Sequence, residues 1–163
     1  MHIHYLTGEF ARSASETAFL SSQIERTRGM LGFTLLFCVA FFLSFFVTDI
    51  AVLGLDAAVR DTLPARLLVA AVAGTWAWLA YRRPLSIRAM RLAASLSEGI
   101  ALCCFMVVAL ARPHEVHWHA MSMLIMLVVI YLYIPNRLVY STALGTGASI
   151  VFLALVTFVL PPR

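Results

Sequence analysis

Hydrophobic and polar positions alternate along this chain in long blocks, and the blocks predict five membrane-spanning helices. The clearest is the stretch 114–137, HEVHWHAMSMLIMLVVIYLYIPNR. It opens with three histidines and Trp118, and then crosses residues 120–130, where Ser122 is the sole polar residue. Tyr131 and Tyr133 follow, and Pro135-Asn136-Arg137 stops it. A long uncharged run with aromatic rings at both edges and polar caps beyond them is what a bilayer-crossing helix needs. Similar runs cover residues 30–47, 65–81, 92–111 and 138–160. Thr48-Asp49 is expected to end the first, and Pro64 to open the second in its first turn. Arg82-Arg83-Pro84 closes the second, and Pro161-Pro162 the fifth. The fold class expected is an all-α, polytopic helical bundle.

Composition agrees with that pattern. The chain has 163 residues, 62% of them hydrophobic and 12% charged, with a mean hydropathy of +0.91. A soluble domain is nearer half apolar and a quarter charged. The net charge of +4 arises from arginine alone, because the chain has no lysine. In a membrane protein such an excess bears on orientation before it bears on nucleic acid, for which no motif is present. Arg12, Arg26, Arg28, Arg82, Arg83, Arg88, Arg91 and Arg137 fall on one side of the expected bundle. Arg60, Arg66, Arg112 and Arg163 fall on the other. Positive loops stay inside, so the N-terminus is expected in the cytoplasm and the histidine cluster on the outer face. Cys38, Cys103 and Cys104 lie within apolar runs and read as small buried hydrophobes, not as a disulfide set.

Residues 1–29 form a polar lead without the pattern of a signal peptide. Within it, residues 15–28 place Phe19, Leu20 and Ile24 on one helical face. That face suits a helix lying on the membrane surface. The expected reading is a cytoplasmic extension of the first span. Five crossings put the C-terminus outside, directly after the membrane, which points to a further helix beyond Arg163.

Several segments resemble a known family. IERTRGMLGF, the first span ending in FFVTD, the arginine opening the second span and VVIYLYIPNRL look like the six-helix MASE-type membrane-associated sensor modules of bacteria. Those modules precede GGDEF diguanylate cyclase or adenylate cyclase domains. The resemblance runs from about Glu25 to Val159. It implies a sixth helix, a coiled-coil linker and a cytoplasmic cyclase, all outside this chain, in a bacterial inner membrane. It carries over no catalytic or ligand-binding residue, and this chain holds no GGDEF sequence.

The chemistry-bearing residues are few. Glu98 lies well inside the third span, about 10 Å along the helix from Arg91. A carboxylate in hydrocarbon must face the bundle, be paired or be protonated. Tyr131, Tyr140, Ser141 and Arg137 are its expected partners. It serves either as a proton- or ligand-responsive switch or as a structural hydrogen bond between helices. Asp49 and Arg66 end one span and begin the next at the same interface. They are expected as hydrated caps; paired, and reached by His119, they would close the mouth of a pocket. His114, His117 and His119 form H-x-x-H-x-H, which could hold zinc or copper if the segment is a loop. On a helix, His119 sits about 200° round from His117. The alternative is interfacial capping beside Trp118.

Met106, Met121, Met123 and Met126 occupy one depth of the third and fourth spans. Flexible thioethers suit either an adaptable apolar pocket, expected between the third, fourth and fifth helices, or simple core filling. Ala70 with Gly74, Ala73 with Ala77, and Gly145 with Ser149 have the spacing of close helix contacts. These fit packing within the chain or the seam of a homodimer. No nucleophilic triad, phosphate loop or zinc-peptidase motif is present, nor any internal repeat of the transporter kind. The function expected is a non-catalytic sensory module in the bilayer, detecting a small apolar or amphipathic ligand. The alternative is a small proton-coupled carrier using Glu98.

Overall fold

The computed structural model describes residues 21–159, all in helices and short turns with no strand among them. Hydrocarbon offers no partner for a free N–H or C=O, so an apolar chain of this kind closes its hydrogen bonds within each helix. Helix α1 runs Ile24–Ser44 and continues past a one-residue irregularity at Phe45 into α2, Phe46–Leu53. After Gly54 comes the short α3, Leu55–Asp61, then α4, Leu63–Arg82, and α5, Ile87–Ala111. A 3-10 turn, Pro113–Glu115, leads into α6, Val116–Leu132. Helix α7, Leu138–Ala154, ends in a π turn, Leu155–Val159.

Five helical stretches are long and apolar enough to cross a membrane: Ile24–Leu53, Leu63–Arg82, Ile87–Ala111, Pro113–Leu132 and Leu138–Val159. The chain is therefore a membrane protein with an all-α bundle. Pro64 does sit in the first turn of the second span. The Ser86 hydroxyl caps the third by accepting from Ala89 N at 3.2 Å. Two threonines within the spans satisfy themselves locally: Thr75 Oγ1 donates to the Ala71 carbonyl at 2.6 Å, and Thr157 Oγ1 to the Leu153 carbonyl at 2.7 Å.

The first span differs from expectation. It does not stop at Thr48-Asp49 but runs on to Leu53, where Gly54 takes φ +80° and turns the chain. A left-handed φ of that kind is open to glycine at little cost. The connection to the second span is largely helical, through α3. At the other end, Ile24–Arg28 belongs to the same helix as the span. The remainder of the polar lead, residues 1–20, lies outside the described residues, as does the Pro161-Pro162 ending.

The third span is the central element. More than half of its apolar stretch is buried, against 6% for the fifth. Toward the 82–91 turn, Leu31 and Leu35 pack against Ala73, Ala77, Met90, Ala93 and Ala94, so that the first three spans meet on small residues. Arg28 pairs with Glu25 at 2.6 Å and also donates to the Arg83 carbonyl at 3.4 Å, tying the first helix to that turn. Toward the histidine end, Leu102, Phe105 and Met106 pack on Met123 and Ile130 of the fourth span. Gly145 lets the fifth span approach the fourth: a Cβ there would meet Leu127 and the Tyr131 hydroxyl at 3.1 Å. The small-residue pairs built on Ala73–Ala77 and on Gly145 thus pack within the chain.

Candidate functional site

Among the described residues, two polar sites lie inside the bundle, each beside a cavity. At the histidine end, Asp49 of α2 is fully buried and Arg66 of α4 nearly so. Arg66 Nε donates to Asp49 Oδ2 at 2.5 Å and its Nη2 to Oδ1 at 2.9 Å, a two-pronged fork. Its Nη1 donates to the Phe42 carbonyl at 2.6 Å, and the guanidinium lies over the Phe42 ring. Arg112, from the end of the third span, brings Nη1 to Asp49 Oδ1 at 2.9 Å. Three spans are therefore joined by one carboxylate. The expectation of hydrated caps is overturned, because a charge already paired and hydrogen-bonded in this way can be buried. The conditional pairing of Asp49 with Arg66 forms. His119 reaches the same cluster through the Arg112 carbonyl, 3.1 Å from its Nε2.

Arg112 is the residue that sequence reasoning missed as a site member. Its signal was present: Asp49, Arg66 and Arg112 each stand at the histidine end of one of three consecutive spans. One acid and two bases at a shared depth in hydrocarbon should find one another.

The histidines do not converge. His114 lies in the 3-10 turn and His117 on the exposed side of α6, whereas His119 is buried beneath the Phe105 ring. Among the described residues no group of three or more His, Cys, Asp or Glu is arranged to hold a metal ion. The loop that zinc or copper would need is replaced by helix from Val116 onward. Trp118 is exposed beside His117, where an interfacial ring belongs.

The second polar site is Glu98, on the central helix. It is 2% exposed, and Asn136 Nδ2 donates to its Oε2 at 3.2 Å. Asn136 also donates to Ser95 Oγ at 2.9 Å, and the buried Ser141 is a further partner of the carboxyl. Glu98 Oε1 and the neighbouring Ser97 Oγ are buried without a hydrogen-bond partner. Of the partners expected from sequence, Ser141 is present. Tyr131 and Tyr140 are exposed, and Tyr140 lies under the Arg137 guanidinium. Asn136, read as a turn cap, supplies the donor.

Glu98 and Ser97 form part of the wall of an apolar cavity of about 200 Å³. The cavity lies among the first four spans, with Leu35, Cys38, Phe42, Ala101, Met126 and Val129 among its lining. Phe37, Phe41 and Ile125 also line it and are exposed on the bundle surface. It therefore opens sideways, between the first and fourth spans. A smaller cavity of about 70 Å³ lies at the histidine end, beside Arg66, Arg112, His119 and Ser122.

The methionines separate. Met106 and Met123 are buried in packed core, Met121 is exposed, and Met126 lines both cavities. The volume expected between the third, fourth and fifth helices is a groove between the third and fifth, bordered by Cys103, Met106 and Gly147. The three cysteines are free; Cys104 is buried as expected, but Cys103 is exposed.

Comparison with protein-family models, with curated proteins and with solved structures finds no match for this chain.

Proposed function

We propose that this bundle is a sensory input module that takes up a small apolar or amphipathic molecule sideways from the bilayer. The observation that carries this reading is the cavity beside Glu98. It is about 200 Å³, nearly all of its lining is apolar, and its mouth is rimmed by Phe37, Phe41 and Ile125 on the lipid-facing surface. Apolar cavities of about 150 Å³ stay dry and accept benzene-sized molecules. The cavity lies where the first and fourth spans stand apart, so an occupant would favour one separation of those helices over another. That differential is what a ligand needs in order to shift a conformational equilibrium. In the MASE-type reading, the shift passes to a nucleotidyl cyclase.

The proposal is tested with the purified chain in micelles, by thermal shift and equilibrium dialysis with benzyl alcohol and octanol. Saturable binding is expected, and Ala101→Phe, which fills the cavity, should abolish it. Binding unaffected by Ala101→Phe would place the ligand elsewhere.

The arginine distribution further supports a cytoplasmic N-terminus. In a background lacking the native cysteines, an impermeant thiol reagent applied to intact cells should label Glu115→Cys and spare Ser86→Cys. The reverse pattern would invert the orientation.

A further inference from the structure

The small cavity at the histidine end differs from the lateral one in charge. Within the buried cluster two guanidiniums face one carboxylate, and Glu115 at its rim carries the balancing charge. Glu115 approaches Arg112 Nη2 at 4.0 Å, an ion-pair distance beyond hydrogen bonding, and is itself partly exposed. Asp49 is already engaged on both oxygens and gives Arg112 Nε no bond: its Oδ1 accepts from both arginines and its Oδ2 from Arg66 Nε. Arg66 uses its Nε/Nη2 edge to grip that carboxylate. On Arg112 the Nε of the corresponding edge is buried and has no hydrogen-bond partner.

A planar guanidinium edge of this kind matches two carboxylate oxygens. A buried donor left without an acceptor, as Arg112 Nε is, is costly. The cavity of about 70 Å³ has Arg66, Arg112, His119 and Ser122 on its wall, the rest of which is apolar. His119 is held in place by its contact with the Arg112 carbonyl. A space so small suits a planar carboxylate better than a tetrahedral dianion. Phe41, Phe42 and Met126 line both this cavity and the lateral one. The anion site and the apolar site are therefore next to each other, separated by shared side chains.

We infer that the two cavities form one site for an amphiphilic monocarboxylate. Its carboxylate is held at Arg112 with Ser122, and its chain lies in the lateral cavity. The inference rests on the reading of that cavity as a ligand site, and it adds the chemical class of the ligand's head.

The chemistry of the head has two sources, a free short carboxylate or a chain-bearing one, and the test separates them. Equilibrium dialysis of the purified chain in neutral micelles, at mildly alkaline pH and with protein-free micelles as control, compares octanoate, octanol and acetate. Octanoate is expected to bind about tenfold more tightly than octanol, and acetate should not displace it at equal concentration. Arg112→Gln should erase the preference for octanoate and leave octanol binding within about twofold. Because Arg112→Gln also touches the Asp49 cluster, Ser122→Leu serves as a second variant. It fills the small cavity without removing an ion pair and should have the same effect. Equal binding of octanoate and octanol by the parent, or a preference that survives both variants, would overturn the head assignment and leave the lateral cavity standing. Displacement by equimolar acetate would assign the site to a free short carboxylate and overturn the amphiphile. Absence of binding by both octanoate and octanol would overturn the lateral-cavity reading itself.

Discussion

Asp49 and Glu98 are both buried acids, and their surroundings are opposite. Asp49 takes charged donors on both oxygens, from arginines on two neighbouring spans. Glu98 has the neutral partners Asn136 and Ser141 and one oxygen with none. The first acid stands where three helices are clamped at one end, the second in the wall of a cavity. A buried charge that is matched in place fixes geometry, because every alternative arrangement strands a charge in a poor dielectric. A buried carboxyl with neutral partners leaves its helix free to respond to what enters beside it. The contrast sets an ion-paired end of the bundle against a middle that holds a cavity, and it can be broken by substitution.

The largest effect is expected at the clamp. Asp49→Asn leaves Arg66 buried without a counterion and Arg112 with Glu115 alone at 4.0 Å, and breaking a buried pair costs about 3–5 kcal/mol. Arg66→Lys should approach that loss, since an ammonium cannot reproduce the fork on Asp49 together with the donation to Phe42. Unfolding in micelles of fixed composition, followed by size-exclusion chromatography, measures both. An unchanged midpoint for Asp49→Asn would show that water reaches the cluster and that the clamp contributes little.

A smaller loss is expected at Asn136, which joins the turn after the fourth span to Glu98 and Ser95 of the third. Interhelical hydrogen bonds in membranes average about 0.6 kcal/mol and reach about 1.7. Asn136→Ala should therefore cost about 1–2 kcal/mol by the same measurement, with Asn136→Asp no better because it sets a second carboxyl against the first. A loss as large as that of Asp49→Asn would show that Glu98 depends on one charged or strongly ordered partner, and the contrast would fail.

The sites were only partly legible in the sequence, and the reasons are physical. The five spans could be read because an apolar run of about twenty residues has few other uses. The end of the first span could not. Asp49 reads as a stop because an acid seldom enters hydrocarbon, yet its partners stand 17 and 63 residues further on. Once they are in place the helix continues to Gly54, where the conformation of the backbone ends it. Glu98 was legible as an oddity, since no other charge lies so deep in its helix. Its donor was not, because Asn136 sits in a proline turn whose folding back onto the third span is a tertiary fact. The methionines misled for a related reason: equal depth on two helices does not say which face each side chain takes. Met123 turned inward to fill core and Met121 outward. Met123→Trp would therefore overpack a filled region and report on folding, not on a ligand.

The smallest effect on stability, and the sharpest test of the contrast, is expected from Glu98→Gln. The amide oxygen of glutamine can accept from Asn136 as Glu98 Oε2 does. Its NH2 would take the place of Oε1, which has no partner to lose. One unmatched polar atom is exchanged for another of similar size, so stability should change by less than about 1 kcal/mol. What disappears is the ability to carry charge at that position. If the middle of the bundle is responsive, the output of a cyclase-bearing form should change in Glu98→Gln, and so should its dependence on pH, while the helices remain assembled. Unchanged output would make Glu98 a structural residue only. A destabilisation matching Asp49→Asn would mean that Glu98 is held by a charge after all, and the two acids would then be alike.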